Sequence, residues 1–487
     1  MGDDFRTPPL FAHGGVLERA VLTLRVVRQA AARALAPGRN RLTTSIFYVV
    51  LAAAPFPFGS VDWSTIAFWC VALGVAVIVA TPRYLNRSQL GLLGVLCVIA
   101  FGYVFVLHEQ VSGVPWIAQP QAIWVESGKV LGVELKPSVS VVRYEPYFSL
   151  GAALAAILIA ICGIIVGADR ARAYRTLEVV AWSGAAYAIY AILAFVIDPG
   201  MVLWREKISY TTVLTGTFIN RNTAATYFGS CAIICFVLLL REIRIRLPSG
   251  RVSWDEFYAR ILYRTGRSVI LLFSKFFICL AAMFMTGSRA GVILTLTLLV
   301  IAFVAFFRRD LPGRAGGWIA VASGGGIALI LLQFMGAGVS GRFDTYGLSD
   351  EGRREAWLAT LRVIADHPWF GTGLGTFPSV FPSYRSGNVS IWGIWDRAHS
   401  TPLEMAAELG LPLAILVGIT WAGALLVLGL AIVKGRISAM SLAPFLVALL
   451  ALLHSCVDFS LQIPGYSLVA IGLMAAGLGH ALRARIA

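Results

Sequence analysis

The sequence predicts an all-α polytopic membrane protein of about twelve transmembrane helices, with one large outer loop, containing short helices, between the ninth and tenth spans. Three observations predict it. The chain is 58% hydrophobic and only 13% charged, and its mean hydropathy of +0.79 is that of a membrane protein. Its apolar residues fall in runs close to the length that crosses a bilayer. Its basic residues are sorted to alternate sides of those runs.

The runs lie at 43–60, 64–81, 89–108, 148–167, 177–197, 222–240, 268–286, 290–307, 317–336, 411–433, 438–454 and 464–482. Pro55 and Pro57 interrupt the first. Four regions follow: a basic segment at 1–42, spans one to nine at 43–336, the outer loop at 337–410, and spans ten to twelve with a short tail at 411–487. Arg19, Arg25, Arg28 and Arg33 suit an amphipathic helix on an anionic membrane surface, or equally a solvated tail. No short apolar region with a cleavage site precedes the first span, so no signal peptide is expected. The seven cysteines fall almost entirely within apolar runs and read as small hydrophobes rather than a disulfide framework. No Cys/His cluster has metal-ligand spacing, so no metal is expected.

With both termini in the cytoplasm, the cytoplasmic segments hold about two thirds of the 40 Lys and Arg. Segments 1–42 and 241–267 carry seven arginines each. The net charge of +15 is therefore a topology signal and requires no nucleic-acid partner. Loop 337–410 then faces outward.

Two arginines sit on the opposite side, against that bias. Arg221 opens the sixth span and Arg289 lies in a tight Gly-Ser-Arg-Ala-Gly turn before the eighth. An arginine that close to hydrocarbon snorkels or meets an anion, and its flat fork suits a phosphate or diphosphate. Either alone reads equally as an interfacial anchor; together, with a histidine on the same face, they favour an anion site. Asn220, Asn222, Arg354 and Glu404 are the accompanying candidates for substrate contact.

The histidine is His399, in Asp396-Arg397-Ala398-His399-Ser400-Thr401-Pro402-Leu403-Glu404. Thr401 suits an N-cap, Pro402 the first helical position, and Glu404 the third residue of a capping box. His399 would then precede a helix N-terminus, whose field favours the neutral imidazole a general base needs. Earlier in the loop, Ser349 can cap a helix with Asp350 and Glu351 in its first turn; Trp357, Leu361 and Ile364 form its apolar stripe, and His367-Pro368 end it. Gly371-Thr372-Gly373-Leu374-Gly375 reads as a flexible turn, with the wrong spacing for a dinucleotide fingerprint. Trp392 and Trp395 read as interfacial anchors or a sugar-stacking surface, anchoring being favoured.

Four segments together resemble the O-antigen ligase and polymerase superfamily of bacterial envelope glycosyltransferases. They are Gly216-Thr217-Phe218-Ile219-Asn220-Arg221-Asn222, Gly287-Ser288-Arg289-Ala290-Gly291, Asp366-His367-Pro368-Trp369-Phe370-Gly371-Thr372-Gly373, and Ala398-His399 leading to Glu408-Leu409-Gly410. His454-Ser455-Cys456-Val457-Asp458-Phe459 also looks similar. The resemblance covers about 210–465 and implies a GT-C-like membrane enzyme of the bacterial inner membrane, with its site on the periplasmic face. It implies a polyprenyl-diphosphate-linked glycan as donor, lipid A core or another glycan as acceptor, and no cofactor. By that resemblance Arg221 and Arg289 engage the diphosphate and His399 assists the acceptor hydroxyl; Ser400 stands where the family usually has Asn. A single displacement would invert the anomeric centre, without a metal. A polymerase is the alternative within the class, and a twelve-span secondary transporter the alternative outside it. The clustering of charged candidates at one face, and the lack of a visible repeat, favour the enzyme.

Overall fold

A computed structural model describes residues 40–82, 85–246, 266–307, 321–322, 324–326, 351–387, 395–434 and 438–483. The helices described are α1 (Arg41–Ala53), α2 (Trp63–Ile78), α3 (Arg87–Val111), α4 (Ile123–Leu131), α5 (Glu145–Gly167), α6 (Arg170–Ile197), α7 (Arg221–Arg246), α8 (Arg267–Met285), α9 (Arg289–Phe307), α10 (Glu351–Asp366), α11 (Phe377–Tyr384), α12 (Thr401–Leu409), α13 (Leu411–Lys434), α14 (Ala439–Ser455) and α15 (Pro464–Ala481). A two-residue antiparallel ladder, Met201–Val202 with Arg205–Glu206, forms the small hairpin after α6.

Seven of these helices, α3, α5, α6, α7, α8, α9 and α13, are long and apolar enough to cross a membrane; α1, α2 and α14 are shorter apolar helices. Helix α15 falls on the twelfth expected span. The expected ninth span lies almost wholly outside the described residues, as do the basic N-terminal segment and most of 241–267. Pro55 and Pro57 stop α1 at Ala53, and the chain turns through a 3-10 segment at Phe58–Ser60. All seven cysteines are free thiols.

Polar caps tie helix ends together. Asn86 and Gln89 close a capping box on α3. The same two side chains donate to the carbonyls of Leu482 and Gly479, both at 2.7 Å, fastening the start of α3 to the end of α15. Helix α7 is the central one, with 94% of its apolar stretch buried, whereas α3 and α13 have 17% buried and form the periphery. Alternate helices turn at the same end of the bundle. There the segments 54–62, 112–144, 198–220, 286–288, 351–387, 395–410 and 456–463 gather; Thr217 donates to the Pro55 carbonyl, and Gln110, at the end of α3, donates to the Phe370 and Glu408 carbonyls.

Candidate functional site

The site is built on the first turns of α7 and α9. Asn220 caps α7: its Oδ1 accepts from the backbone N–H of Asn222 at 2.7 Å and of Thr223 at 3.1 Å. Arg221 and Arg289 are thus the first residues of their helices. The two helix starts are adjacent: a methyl group on Gly291 would sit 2.7 Å from the Ala225 Cβ. Two positive helix ends, each opened by an arginine, thus lie side by side, a combination suited to an anion. Arg221 lies over the Tyr210 ring at 5.2 Å, and its Nε has no hydrogen-bond partner.

Asn222 carries the site across the bundle. Its amide donates to Asp458 Oδ2 at 2.6 Å. Asp458, in the turn after α14, is 1% exposed. It also accepts from Arg353 at 3.2 Å and, through Oδ1, from its neighbour's N–H (Phe459) at 2.8 Å. Burial alone would raise its pKa, but the histidines His399 and His454 and the Arg353 guanidinium overcome that and hold it at about 2. Asp458 therefore stays ionised.

His399 faces this carboxylate with Nδ1 3.9 Å from Asp458 Oδ2, within ion-pair range but beyond a hydrogen bond. No hydrogen-bond partner engages Nδ1. Phe459 and Trp395 meet the imidazole edge-on, at 5.1 and 5.6 Å between centroids. The backbone of His399 has φ +53°, a left-handed conformation uncommon outside glycine. Its flanks hold it there: Trp357 Nε1 donates to the His399 carbonyl at 3.2 Å, and the Ala398 N–H donates to Glu404 at 2.7 Å.

Several local expectations need correction. Ser400, not Thr401, is the N-cap of α12, and it caps with no side-chain bond. Glu404 closes no capping box; its buried carboxylate takes the Ala398 N–H and the Arg397 guanidinium instead. It braces the histidine loop. The buried face of α10 is Ala356, Ala359, Thr360, Val363 and Ile364, with Leu361 exposed; Ser349 and Asp350 lie outside the described residues. Arg354 is exposed and makes none of these contacts, while its neighbour Arg353 reaches Asp458 and the Val457 carbonyl. The glycine-rich turn is clamped, not flexible: Thr372 and Gly373 donate to the carbonyls of Ala407 and Glu408, and a side chain on Gly371 (φ +65°) would strike Glu408. Trp395 packs on Phe381 as well as His399, so it belongs to the loop's own core; Trp392 is outside the described residues.

Asp458 and Arg353 are the residues that sequence reasoning did not single out. A signal for Asp458 existed in the His454–Phe459 segment, but nothing local tells which loop it joins. Beside the site, on the far side of α12, lies a mostly apolar cavity of about 380 Å³ lined by α2, α3, α5, α13 and α15 and roofed by Arg397, Glu404, Glu408 and Gln462. Among the described residues no three His, Cys, Asp or Glu side chains come together as metal ligands would.

Residues 275–418 match the family described as O-antigen ligase. No curated protein matches the chain. The matched stretch contains Arg289 and His399; Arg221, Asn222 and Asp458 come to it from outside. The match supports the O-antigen ligase/polymerase superfamily and, with the apolar helices, a multi-pass bacterial membrane protein with enzyme activity of the glycosyltransferase kind. It gives no support to a transporter.

Proposed function

We propose that this member of the O-antigen ligase/polymerase superfamily is an O-antigen ligase-type glycosyltransferase, moving a polyprenyl-diphosphate-linked glycan onto a hydroxyl of a lipid A core acceptor. The observation that carries the reading is the Asn222–Asp458 hydrogen bond, which links the start of α7, next to Arg221, to the carboxylate that faces His399 and so sets a candidate base beside a candidate diphosphate site. The charge bias supports a periplasmic placement of this end of the bundle, in the inner membrane.

The chemistry follows from the groups. The acceptor hydroxyl attacks the anomeric carbon as the bond from that carbon to the diphosphate oxygen breaks. The leaving electron pair goes to the diphosphate, whose charge Arg221, Arg289 and the two helix starts stabilise. The hydroxyl proton passes to His399 Nε2, while Asp458 faces Nδ1 and stabilises the imidazolium, as the carboxylate does in an Asp–His pair. A displacement of this kind inverts the anomeric centre.

The test is the lipopolysaccharide of a deletion strain. A ligase predicts loss of polymer from lipid A core, with lipid-linked polymer accumulating. Single-repeat products instead assign a polymerase, and unchanged lipopolysaccharide and polymer overturn the glycosyltransferase reading.

A further inference from the structure

A second site lies away from the arginines. A groove of about 730 Å³ runs between α3 and α13 and under the turn 366–371. Its lower wall is apolar, from Phe105, Val106, Leu413 and Leu416. These belong to the two least buried spans of the bundle, so the groove opens sideways toward lipid. Its roof is polar and, among the described residues, holds no Lys or Arg: Gln119, Gln121, Asp366 and His367 line it, beside Trp369.

Trp369 is 71% exposed, yet its backbone is fixed. The Leu411 N–H donates to the Pro368 carbonyl at 2.8 Å, and Gly410 (φ +84°) packs against the Trp369 carbonyl with no room for a side chain. His367 is held by Gln121 at 3.2 Å, and burial lowers its pKa, against the Asp366 charge. An exposed indole on a fixed backbone, with amides, a neutral imidazole and one acid, is the set that binds sugar hydroxyls and stacks on a sugar ring. The same lining without a cation does not suit a diphosphate.

We propose that this groove binds the membrane-proximal sugar of a glycolipid, with its hydrocarbon chain against α3 and α13. On the transferase reading, that glycolipid is the acceptor. Helix α10 joins the two sites: Asp366 ends it at the groove, and Trp357, bonded to the His399 carbonyl, lies nine residues earlier, about 14 Å along the helix at 1.5 Å per residue.

The experiment places the full chain in nanodiscs of phosphatidylethanolamine and phosphatidylglycerol. Two photoreactive probes with the same diazirine-bearing acyl chain are compared, one with a maltose head and one a phosphatidic acid. The maltoside should label α3 and α13 peptides, excess dodecyl maltoside should compete, and Trp369→Ala or Gln119→Ala should reduce labelling about tenfold. Both side chains are exposed, so both variants should melt like wild type. Equal labelling by the two probes, or labelling indifferent to both variants, overturns the proposal and leaves Trp369 an interfacial anchor. In a transfer assay, Trp369→Ala should raise the acceptor KM about tenfold with kcat and donor KM unchanged. Transfer with an unmoved acceptor KM sinks the groove alone. Head-specific labelling without any transfer by wild type supports the groove and sinks the transferase reading alone.

Discussion

Two buried acidic centres lie on either side of the start of α12, and they differ in what has been left unfinished. At Asp458 the carboxylate is ionised, bonded to Asn222 and Arg353, and faces a histidine it does not reach. Polar atoms with no partner gather in its neighbourhood, on His399, Arg221 and Thr223. At Glu404 and Glu408 the carboxylates are bonded to the loop itself. Glu404 takes Arg397 and the Ala398 N–H; Glu408 takes the Phe377 N–H at 2.9 Å. Burial, and then the charge of Glu404, raise the Glu408 pKa to about 8. The first centre is poised for a ligand and the second holds the backbone that presents it. Satisfied buried polar groups fix structure, and unsatisfied ones mark where another molecule completes the set.

The largest effect should come from removing the base. His399→Ala should fold, keep donor binding, and lose on the order of 10²–10⁴-fold in transfer by purified protein. A variant keeping more than about a tenth of wild-type turnover breaks the contrast between the two centres. If donor binding goes too, His399 belongs to the anion site.

Next comes Asp458→Asn, which keeps the shape and removes the charge facing the imidazole. We expect kcat to fall about 10²-fold with donor KM little changed. An equal loss of kcat and thermal stability would make Asp458 a brace like Glu404.

Arg221→Lys and Arg289→Lys keep charge and remove the fork. Each should raise the donor KM about tenfold. Wild-type donor KM in both, at equal membrane abundance, would leave these arginines as snorkelling anchors.

Glu408→Gln should do least. With a folded pKa of about 8, Glu408 is mostly protonated at pH 7, and glutamine replaces a neutral acid. Its raised pKa contributes stability that is complete below the unfolded value near 4.5 and is lost as pH rises through about 8. Thermal melts of wild type should therefore fall between pH 5 and 8, and those of Glu408→Gln should be flatter, with transfer nearly intact. A steep loss of transfer in this variant would move Glu408 into the chemistry.

Hydropathy and helix starts are local properties, and the chain alone determined them. Eleven of the twelve expected runs fall on described helices, Arg221 and Arg289 open theirs, and His399 immediately precedes the Ser400 cap. Even locally, the cap was assigned one residue late and the apolar stripe of α10 put Leu361 inside, because several side chains suit such a position and only packing selects among them. What tertiary structure alone decided is the identity of the partners. Asn222 and Asp458 are 236 residues apart. Arg353 rather than Arg354 reaches that acid, and Glu404 turns back to its own loop. Those choices depend on which helix ends meet, a matter of long-range packing that no sequence window contains.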